Sequence, residues 1–255
     1  MARLGQNFLA DTNLLDAIVR EAEVGPADVV LEVGPGEGAL TERLAGRARH
    51  LHAIEIDRRL AGELAPLAAR EGVDVIWADA MKVDLSALRP APTVMVANLP
   101  YSVATPVLLR TISELPGMRR WTVMVQLEIA DRLRAAPGSK QYGSPSVVVQ
   151  LACRARLLRR VDRAVFKPRP RVDSAVLGLE RIGPAPSTAE HRLIRQAFAH
   201  RRKALARSVE LTRPGSLAPV REALVAMGLP ADARAEQLTP GQFRTLAAAI
   251  NAASA

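Results

Sequence analysis

The sequence predicts an α/β fold, a doubly wound parallel sheet with helices on both faces, followed by a small helical domain. Three observations predict it. Short β-branched runs alternate with segments of helical periodicity over the first 130 residues, a Pro-containing linker follows at 182–188, and the remainder has helical periodicity throughout. Strands separated by helices of this length imply right-handed crossovers and a parallel sheet. We expect domains at 1–183 and 184–255.

The elements follow from the spacing of apolar residues. Strands are predicted at 29–33, 50–56, 73–77, 94–97 and 121–126, with helices between them at 38–47, 58–70 and 104–114. Two later apolar runs, 146–152 and 175–179, are predicted to close the sheet as strands with an antiparallel edge. Beyond the linker, helices are predicted at 189–209, 217–228 and 236–252.

Composition narrows the class of protein. Of 255 residues, 49% are apolar and 24% charged, which excludes a disordered chain. Because no apolar run approaches the length of about 18 residues that a membrane helix needs, we expect none. The N-terminal residues lack the apolar stretch of a signal peptide, and the single cysteine, Cys153, excludes a disulfide framework. We therefore expect a cytoplasmic protein.

The positive charge is concentrated in one part of the chain. Lys and Arg number 35 against 26 Asp and Glu, a net charge of +9. Residues 1–153 hold 16 basic and 18 acidic side chains (net −2), whereas residues 154–213 hold 16 and 5 (net +11). A concentrated basic block indicates a polyanionic partner, although a solvated Arg-rich surface gives the same pattern.

A glycine-rich loop follows the first predicted strand, in the run Glu32-Val33-Gly34-Pro35-Gly36-Glu37-Gly38. Glycines here allow a tight turn and close approach of a ligand, and Glu55, nineteen residues past Gly36, suits hydrogen bonds to ribose hydroxyls. NAD is one interpretation. The loop departs from G-x-G-x-x-G, however, and Glu37 disfavours a pyrophosphate, so S-adenosylmethionine fits better. Asp79, after the third strand, is then placed to accept from the adenine amino group, or else begins a helix.

The second motif is Asn98-Leu99-Pro100-Tyr101, directly after the fourth predicted strand. In an open α/β sheet this is the edge where ligands bind. An Asn amide oxygen and an adjacent backbone carbonyl present two acceptors, and Tyr101 supplies a flat face. Two acceptors beside an aromatic plane suit the exocyclic amino group of a nucleobase.

With these motifs in place, the sequence resembles the ribosomal RNA adenine N6,N6-dimethyltransferases of the KsgA type over nearly its whole length. The motifs that carry the resemblance are Gly5-Gln6-Asn7-Phe8-Leu9, Glu32-Val33-Gly34-Pro35-Gly36, Ile54-Glu55-Ile56-Asp57, Asp79-Ala80-Met81, Asn98-Leu99-Pro100-Tyr101, Gln126-Leu127-Glu128, Ser139-Lys140-Gln141-Tyr142-Gly143, the run from Phe166 to Ser174, and Phe198-Ala199-His200-Arg201-Arg202-Lys203.

The resemblance implies a Rossmann-like class I methyltransferase sheet, S-adenosyl-L-methionine as cofactor, and dimethylation of two adjacent adenosines in the 3′-terminal hairpin of small-subunit rRNA during ribosome assembly. It implies cofactor binding by Gln6, Asn7, Leu9, Gly34, Gly36, Glu55, Asp79 and Asn98, and catalysis by Asn98, Leu99, Pro100, Tyr101 and Phe166. Tyr101 and Phe166 would sandwich the target base. RNA contacts are implied for Lys140, Arg169, Arg171, Arg201, Arg202 and Lys203, the last three expected on one helix.

The expected partner is the small ribosomal subunit with its 16S-type rRNA, bound by a monomer, with no membrane involved. We expect no metal site, because the four histidines, at positions 50, 52, 191 and 200, are scattered. Three alternatives remain open: a large-subunit rRNA adenine methyltransferase of the macrolide-resistance type, a non-catalytic ribosome assembly factor, and an NAD oxidoreductase.

Overall fold

The computed structural model describes residues 8, 9 and 11–252, apart from the side chain of the last of these. The chain divides into two compact units. The first runs to Ala130 and includes Arg154–Arg181, and the second comprises Asp131–Cys153 and the chain from Ile182 onward. The segment 131–153 therefore groups with the C-terminal helices, whereas the sequence placed it in the first domain.

The strands are β1 (Phe8–Leu9), β2 (Val29–Val33), β3 (His50–Glu55), β4 (Val73–Trp77), β5 (Val94–Asn98), β6 (Arg120–Gln126), β7 (Cys153–Val161), β8 (Phe166–Lys167) and β9 (Ser174–Arg181). The α-helices are α1 (Thr12–Ala22), α2 (Ala39–Leu44), α3 (Ala61–Ala68), α4 (Ala104–Glu114), α5 (Leu127–Leu133), α6 (Ser144–Ala152), α7 (Thr188–Phe198), α8 (Leu205–Thr212), α9 (Leu217–Ala226) and α10 (Pro240–Ala252).

The main sheet has the strand order β4-β3-β2-β5-β6-β9-β7 within the described residues, and β1 pairs separately with β8. The five strands from β4 to β6 are parallel neighbours, and β9 runs antiparallel to β6. This confirms the predicted parallel sheet, the predicted antiparallel strand at 175–179 and the α/β fold class.

The order of the parallel strands places the functional motifs along one edge. All residues of β2 are buried, as expected of a central parallel strand covered on both faces. Strands β2, β3, β4 and β5 all point the same way, so the residues that follow them meet at the carboxyl edge. Helix α1 packs beside this sheet and contributes Leu15 and Ile18 to the core.

The predicted strand at 146–152 is wrong, because this run forms helix α6. Pro145 lies in its first turn, and the Gly143 amide donates to the Ser146 hydroxyl at 3.0 Å, which closes the helix start. The valines of this run are all buried. Only Gln150 of this run is partly exposed, so there is almost no polar face to reveal its period, and helix and strand cannot be distinguished from it.

The predicted helix at 189–209 is also wrong in one respect, because the chain breaks between α7 and α8. The Ser208 hydroxyl donates to the Gln196 carbonyl at 2.7 Å and accepts from the His200 amide at 3.2 Å. These bonds fix the turn and reverse the chain. Helices α1 and α5 and strand β7 were not predicted from the sequence. None of the helices in the part of the chain that the structure describes has the length and apolarity to cross a bilayer.

Candidate functional site

A cavity of about 210 Å³ opens at the carboxyl edge of the parallel strands, entirely within the first unit. An ordered water needs roughly 10–15 Å³ of such volume, so the cavity is large enough for a ligand of many atoms. It is lined by the loop after β2, the end of β3, the turn after β4, and the turn after β5. Four motifs that are distant in sequence therefore border one space.

The glycine loop has no room for side chains at two positions. Gly34 has a φ of +75°, and a Cβ there would lie 3.0 Å from the Pro100 ring. Gly36 has a φ of +59°, and a Cβ there would lie 2.9 Å from the Phe8 ring. Both backbone conformations are ones that L side chains rarely adopt. The loop is thus fitted between Phe8 on one side and the turn after β5 on the other.

Glu55 is buried at the end of β3, with 3% of its surface exposed, and anchors the loop. Its Oε2 accepts from the Gly36 amide at 3.2 Å, and its Oε1 accepts from the amides of Ile56 and Asp57 at 2.9 and 2.8 Å. Three backbone N–H groups stabilise the carboxylate and fix its orientation. Because each carboxylate oxygen has two acceptor sites, Oε2 retains one for a ligand hydroxyl.

Glu32 is the most deeply buried acid of the cavity, with 1% of its surface exposed. Its Oε2 has no hydrogen-bond partner among the described residues. Burial raises the pKa of this carboxyl to about 8, and the nearby Glu55 carboxylate acts in the same direction. The side chain is therefore poised to ionise when a positive group enters the cavity.

Asp79 lies in the turn after β4 and lines the cavity. Its Oδ1 accepts from the Met81 amide at 2.9 Å, and its Oδ2 lies 3.9 Å from Lys82 Nζ. The residue therefore closes a local turn, and no helix begins here, contrary to the alternative interpretation of this position. Its other carboxylate oxygen accepts no hydrogen bond from the Met81 amide.

The turn after β5 is held rigidly. The Leu99 amide donates to the Met124 carbonyl at 3.0 Å, and the Val103 amide donates to the Pro100 carbonyl at 3.0 Å. The Tyr101 hydroxyl lies 2.6 Å from the hydroxyl of buried Ser174 at the start of β9. Burial raises the pKa of Tyr101, with the Ser174 hydrogen bond acting in the opposite direction. These contacts fix the backbone of the turn and the plane of the aromatic ring.

Most predicted cofactor and catalytic residues lie together around the cavity. Those that line it are Leu9, Gly34, Gly36, Glu55, Asp79, Asn98, Leu99, Pro100 and Tyr101. Gln6 and Asn7 lie outside the described residues. Phe166 does not line the cavity in the described structure: it pairs with Leu9 and packs in the core cluster with 2% of its surface exposed.

The sequence did not single out two residues of the site. Phe8 covers Gly36, and Glu32 contributes the buried carboxylate described above. Glu32 stands in the glycine motif, but an acidic residue inside a buried apolar strand was itself a signal. Such a charge is costly to bury unless it serves a purpose.

The predicted RNA-binding residues are divided between the two units. Arg169 and Arg171 belong to the first unit and are exposed, with Arg169 lying 3.8 Å from Asp162. Lys140 and the triplet of residues 201–203 belong to the second unit and are also exposed. The triplet was expected on a helix and instead occupies the turn between α7 and α8.

Arg201 has a structural contact in that turn. Its Nη2 donates to the carbonyls of Tyr142 and Lys140, at 2.9 and 3.2 Å. The guanidinium thereby attaches the 140–142 segment to the turn, within the second unit. Arg202 and Lys203 are exposed in the same turn.

The expectation that the four histidines are scattered is wrong for two of them. His50 and His52 lie two residues apart on β3, next to Asp74 on β4, and one ligand atom from each of the three lies within 4.8 Å of the others. Burial lowers the pKa of His52. His191 and His200 lie in the second unit. The pairing of β3 with β4 places Asp74 beside the two histidines. The distance of Asp74 from them along the chain gave no indication of this contact.

Comparison with known proteins identifies the family. The model of the ribosomal RNA adenine dimethylase family matches residues 1–252. Two similar proteins are both named ribosomal RNA small subunit methyltransferase A. That of Rubrobacter xylanophilus is 45% identical over 248 residues (96% of this chain and 92% of the relative), and that of Streptomyces coelicolor is 46% identical over 255 residues (95% and 88%).

Solved structures agree with this. The crystal structure of a dimethyladenosine transferase from Plasmodium falciparum is 25% identical and superimposes with a TM-score of 0.79, over 94% of this chain and 95% of the other. That of the 23S rRNA methyltransferase ErmE is 29% identical, with a TM-score of 0.68 over 96% and 100%. With a family match from the first residue to residue 252 and close relatives over almost the full length, the chain belongs to the ribosomal RNA adenine dimethylase family.

Proposed function

We propose that this chain transfers methyl groups from S-adenosyl-L-methionine to N6 of two adjacent adenosines in the 3′-terminal hairpin of small-subunit rRNA, as a step in ribosome assembly. One observation carries the proposal: the turn from Asn98 to Tyr101 borders the same cavity as the glycine loop, Glu55 and Asp79. Acceptors suited to a base amino group thus face a site suited to a nucleoside cofactor. The proposed enzyme works in the cytoplasm as a monomer.

The cavity fits this cofactor by its charge and shape. Its lining contains four acidic residues, Glu32, Glu37, Glu55 and Asp79. Such a lining favours a ligand with cationic sulfonium and ammonium groups and opposes a pyrophosphate, which argues against NAD. Gly34 and Gly36 line the cavity and bring no side chain into it, which permits close approach of a ligand to the backbone.

Different residues of the cavity would contact different parts of the proposed cofactor. Glu55 would accept from the ribose hydroxyls, Asp79 from the adenine amino group, and the glycine loop would receive the methionine portion. Leu9 and the wall formed by Phe8 would cover it. When bound, S-adenosylmethionine supplies a methyl group on a sulfonium, which is an excellent leaving group.

The turn after β5 would then orient the target nitrogen. The adenine N6 lone pair is delocalised into the ring, which makes the nitrogen a poor nucleophile. The Asn98 side-chain oxygen and the Leu99 carbonyl would accept its N–H bonds and favour a pyramidal nitrogen. Positioning of this kind lowers the barrier without a dedicated base. The rigid hydrogen bonding of the turn suits it to that role.

The extruded base would stack on Tyr101, whose ring is held by the Ser174 hydrogen bond. Stacking of a base on an aromatic side chain contributes about 1–3 kcal/mol. We propose Phe166 as the second wall, reached when the base displaces part of the cluster that now covers it. The exposed basic residues, Lys140, Arg169, Arg171 and the triplet of residues 201–203, would contact phosphates and set the register of the RNA.

The test is methyl transfer from labelled S-adenosylmethionine to undermethylated small subunits and, separately, to naked large-subunit RNA, followed by nucleoside mass spectrometry. We expect dimethyladenosine on the small subunit. Asn98→Ala should abolish transfer while subunit binding is retained, and Asn251→Ala, on the exposed end of α10, should change neither. Equal loss of binding and transfer in Asn98→Ala would contradict the catalytic role of Asn98.

A second candidate function is methylation of large-subunit rRNA, the activity named for ErmE at 29% identity, and it is less favoured because relatives at 45–46% identity are named small subunit methyltransferases. Product on large-subunit RNA alone would select it. No product on either RNA, with subunit binding intact, would select a non-catalytic assembly factor.

A further inference from the structure

A cluster of three potential metal ligands lies outside the cavity, near the start of the two outermost parallel strands. His50 and His52 alternate with Leu51 on β3, so both side chains project from the same face of the sheet. Asp74 of β4 pairs directly with His52. The two imidazole rings are 4.4 Å apart between centroids and inclined at 58°.

The hydrogen bonds of His52 determine which of its ring nitrogens carries the proton. Nε2 lies 2.9 Å from the Pro90 carbonyl oxygen. A carbonyl oxygen can only accept, so Nε2 donates, and the neutral ring presents a bare lone pair at Nδ1. This is the arrangement found when histidine binds metal, where the second nitrogen donates to a backbone carbonyl.

The lone pair at His52 Nδ1 is buried and faces another acceptor. The residue has 1% of its surface exposed, and Nδ1 has no hydrogen-bond partner among the described residues. It lies 3.5 Å from Asp74 Oδ2, the oxygen that also lies 2.8 Å from His50 Nε2. A lone pair and a carboxylate oxygen repel one another at this distance unless a cation lies between them. A cation bound to both atoms would replace this repulsion by attraction.

We propose that His50 Nε2, His52 Nδ1 and the Asp74 carboxylate bind a Zn²⁺ ion. Two imidazoles and one carboxylate suit zinc, whereas Mg²⁺ and Ca²⁺ prefer oxygen ligands alone. The Asp74 side chain is 54% exposed, which gives the ion a route from solvent and leaves a coordination position for water. His50, 16% exposed, and buried His52 form the inner wall.

Binding requires one proton to move. His50 Nε2 now donates to Asp74 Oδ2, and the ion replaces that proton, which moves to Nδ1 of the same ring so that the imidazole stays neutral. His52 needs no such change, because its Nδ1 is already bare. The ion would join β4, at the edge of the sheet, to β3. These two strands lead to Asp79 and Glu55 at their opposite ends, so zinc would stabilise the part of the sheet that holds those carboxylates.

The experiment uses the full chain, stripped of metal with EDTA and titrated with Zn²⁺ against a colorimetric zinc indicator. We expect one Zn²⁺ per chain and a rise in Tm on zinc addition that Mg²⁺ does not produce. His50→Gln and Asp74→Asn should each weaken zinc affinity at least tenfold and remove the rise in Tm. Matched controls are His200→Gln and Asp232→Asn, both exposed in the second unit, which should bind zinc like the unaltered chain.

Long-range 15N NMR of the histidine rings provides an independent readout on the unaltered protein. Without zinc, His52 should show a protonated Nε2 and a bare Nδ1, and zinc should shift the Nδ1 resonance selectively. Three results would overturn the proposal: no saturable zinc binding, binding that His50→Gln and Asp74→Asn leave unaffected, or a His52 ring protonated on both nitrogens that zinc does not alter. The last would mean that an imidazolium–carboxylate pair fills the cluster instead.

Discussion

At the scale of the residue, the cavity combines two carboxylates in contrasting environments. Glu55 accepts three backbone N–H bonds, whereas Glu32 has an oxygen without a partner among the described residues. Burial favours the neutral form of an acid, and it raises the pKa of Glu32 despite the Thr41 side chain, which acts in the opposite direction. The two neighbours are therefore suited to different tasks, one to hold neutral hydroxyls and the other to respond to positive charge.

Glu32 should make stability depend on pH. Its pKa is about 8 in the folded chain against an ordinary value of 4.5, so between these values the folded state binds one proton more than the unfolded state. Stability therefore falls as pH rises through this window, by about 1.4 kcal/mol per pH unit. Glu32→Gln removes this contribution, and urea unfolding at pH 5.5, 6.5 and 7.5 should show its stability rising relative to the parent.

The control is Glu37→Gln, which removes an exposed carboxylate from the same loop. Equal pH dependence in the parent and in Glu32→Gln would mean that Glu32 is ionised in the folded protein.

Tyr101 should contribute to function through its ring and to stability through its hydroxyl. Tyr101→Phe breaks the bond to Ser174 and leaves a buried hydroxyl unsatisfied, which should cost about 1–3 kcal/mol of stability while methyl transfer persists. Tyr101→Ala should lower kcat/KM by a factor of about 5 to 150, the equivalent of one base stack. Single-turnover assays and urea unfolding measure the two effects. Similar loss of transfer in both variants would assign the function to the hydroxyl instead.

At the scale of the element, the loop after β2 and the turn after β5 depend on one another. Strands β2 and β5 are parallel neighbours, which brings Gly34 against the Pro100 ring. The site is therefore shaped by strand order as much as by the motifs themselves. A change in the loop after β2 should therefore alter the turn after β5.

Gly34→Ala tests this dependence. An alanine at φ +75° costs about 1–2 kcal/mol of backbone strain, and its Cβ would press on Pro100. Gly46→Ala is a matched control, since Gly46 has a φ of +82° and a Cβ added there would meet no atom within 4 Å. We expect similar destabilisation of both by strain, with methyl transfer and cofactor affinity falling in Gly34→Ala only. Loss of transfer in both would show that strain, rather than the Pro100 contact, is responsible.

At the scale of the whole molecule, the basic block is only partly available to a polyanion. Arg159 pairs with Glu21 at 2.9 Å and Arg154 lies 3.6 Å from Glu180, so these cations already have acidic neighbours. Arg201 is engaged with backbone carbonyls. The 16 basic residues of 154–213 therefore overstate the number of cations free to contact a polyanion, and exposed residues such as Arg202 and Lys203 account for more of the free charge.

Neutralising Arg202 and Lys203 together should weaken RNA binding and flatten its salt dependence. Removing one phosphate contact reduces the slope of log K against log salt by about 0.7–0.9. The double change to Gln should thus lower the slope by up to about 1.8, twice the value for a single phosphate. The charge-matched pair Arg221→Gln with Arg234→Gln should leave it unchanged. Filter binding to small subunits at several salt concentrations measures the slope for both double variants. An unaltered slope in the first would mean that residues 202 and 203 are exposed to solvent and make no phosphate contact.

The sequence by itself determined the parallel sheet, the loop and turn motifs and the family, because these depend on local patterns: β-branched runs, glycines at a strand end, and an Asn-Leu-Pro-Tyr turn. Three features depended on the tertiary structure. The valine run of helix α6 is buried and has no polar face to reveal its period. The break after Phe198 is fixed by hydrogen bonds of the Ser208 hydroxyl, which lies further along the chain.

The third feature is the set of partners that the fold brings together. The resemblance implied that Phe166 stacks on the target base, whereas in the structure it is a core residue, because β8 pairs with β1. His50 and His52 are distant from Asp74 along the chain, and only the parallel register of β3 and β4 makes them neighbours. Local patterns decide which elements form, whereas strand pairing decides which side chains meet, and a single sequence does not display that pairing.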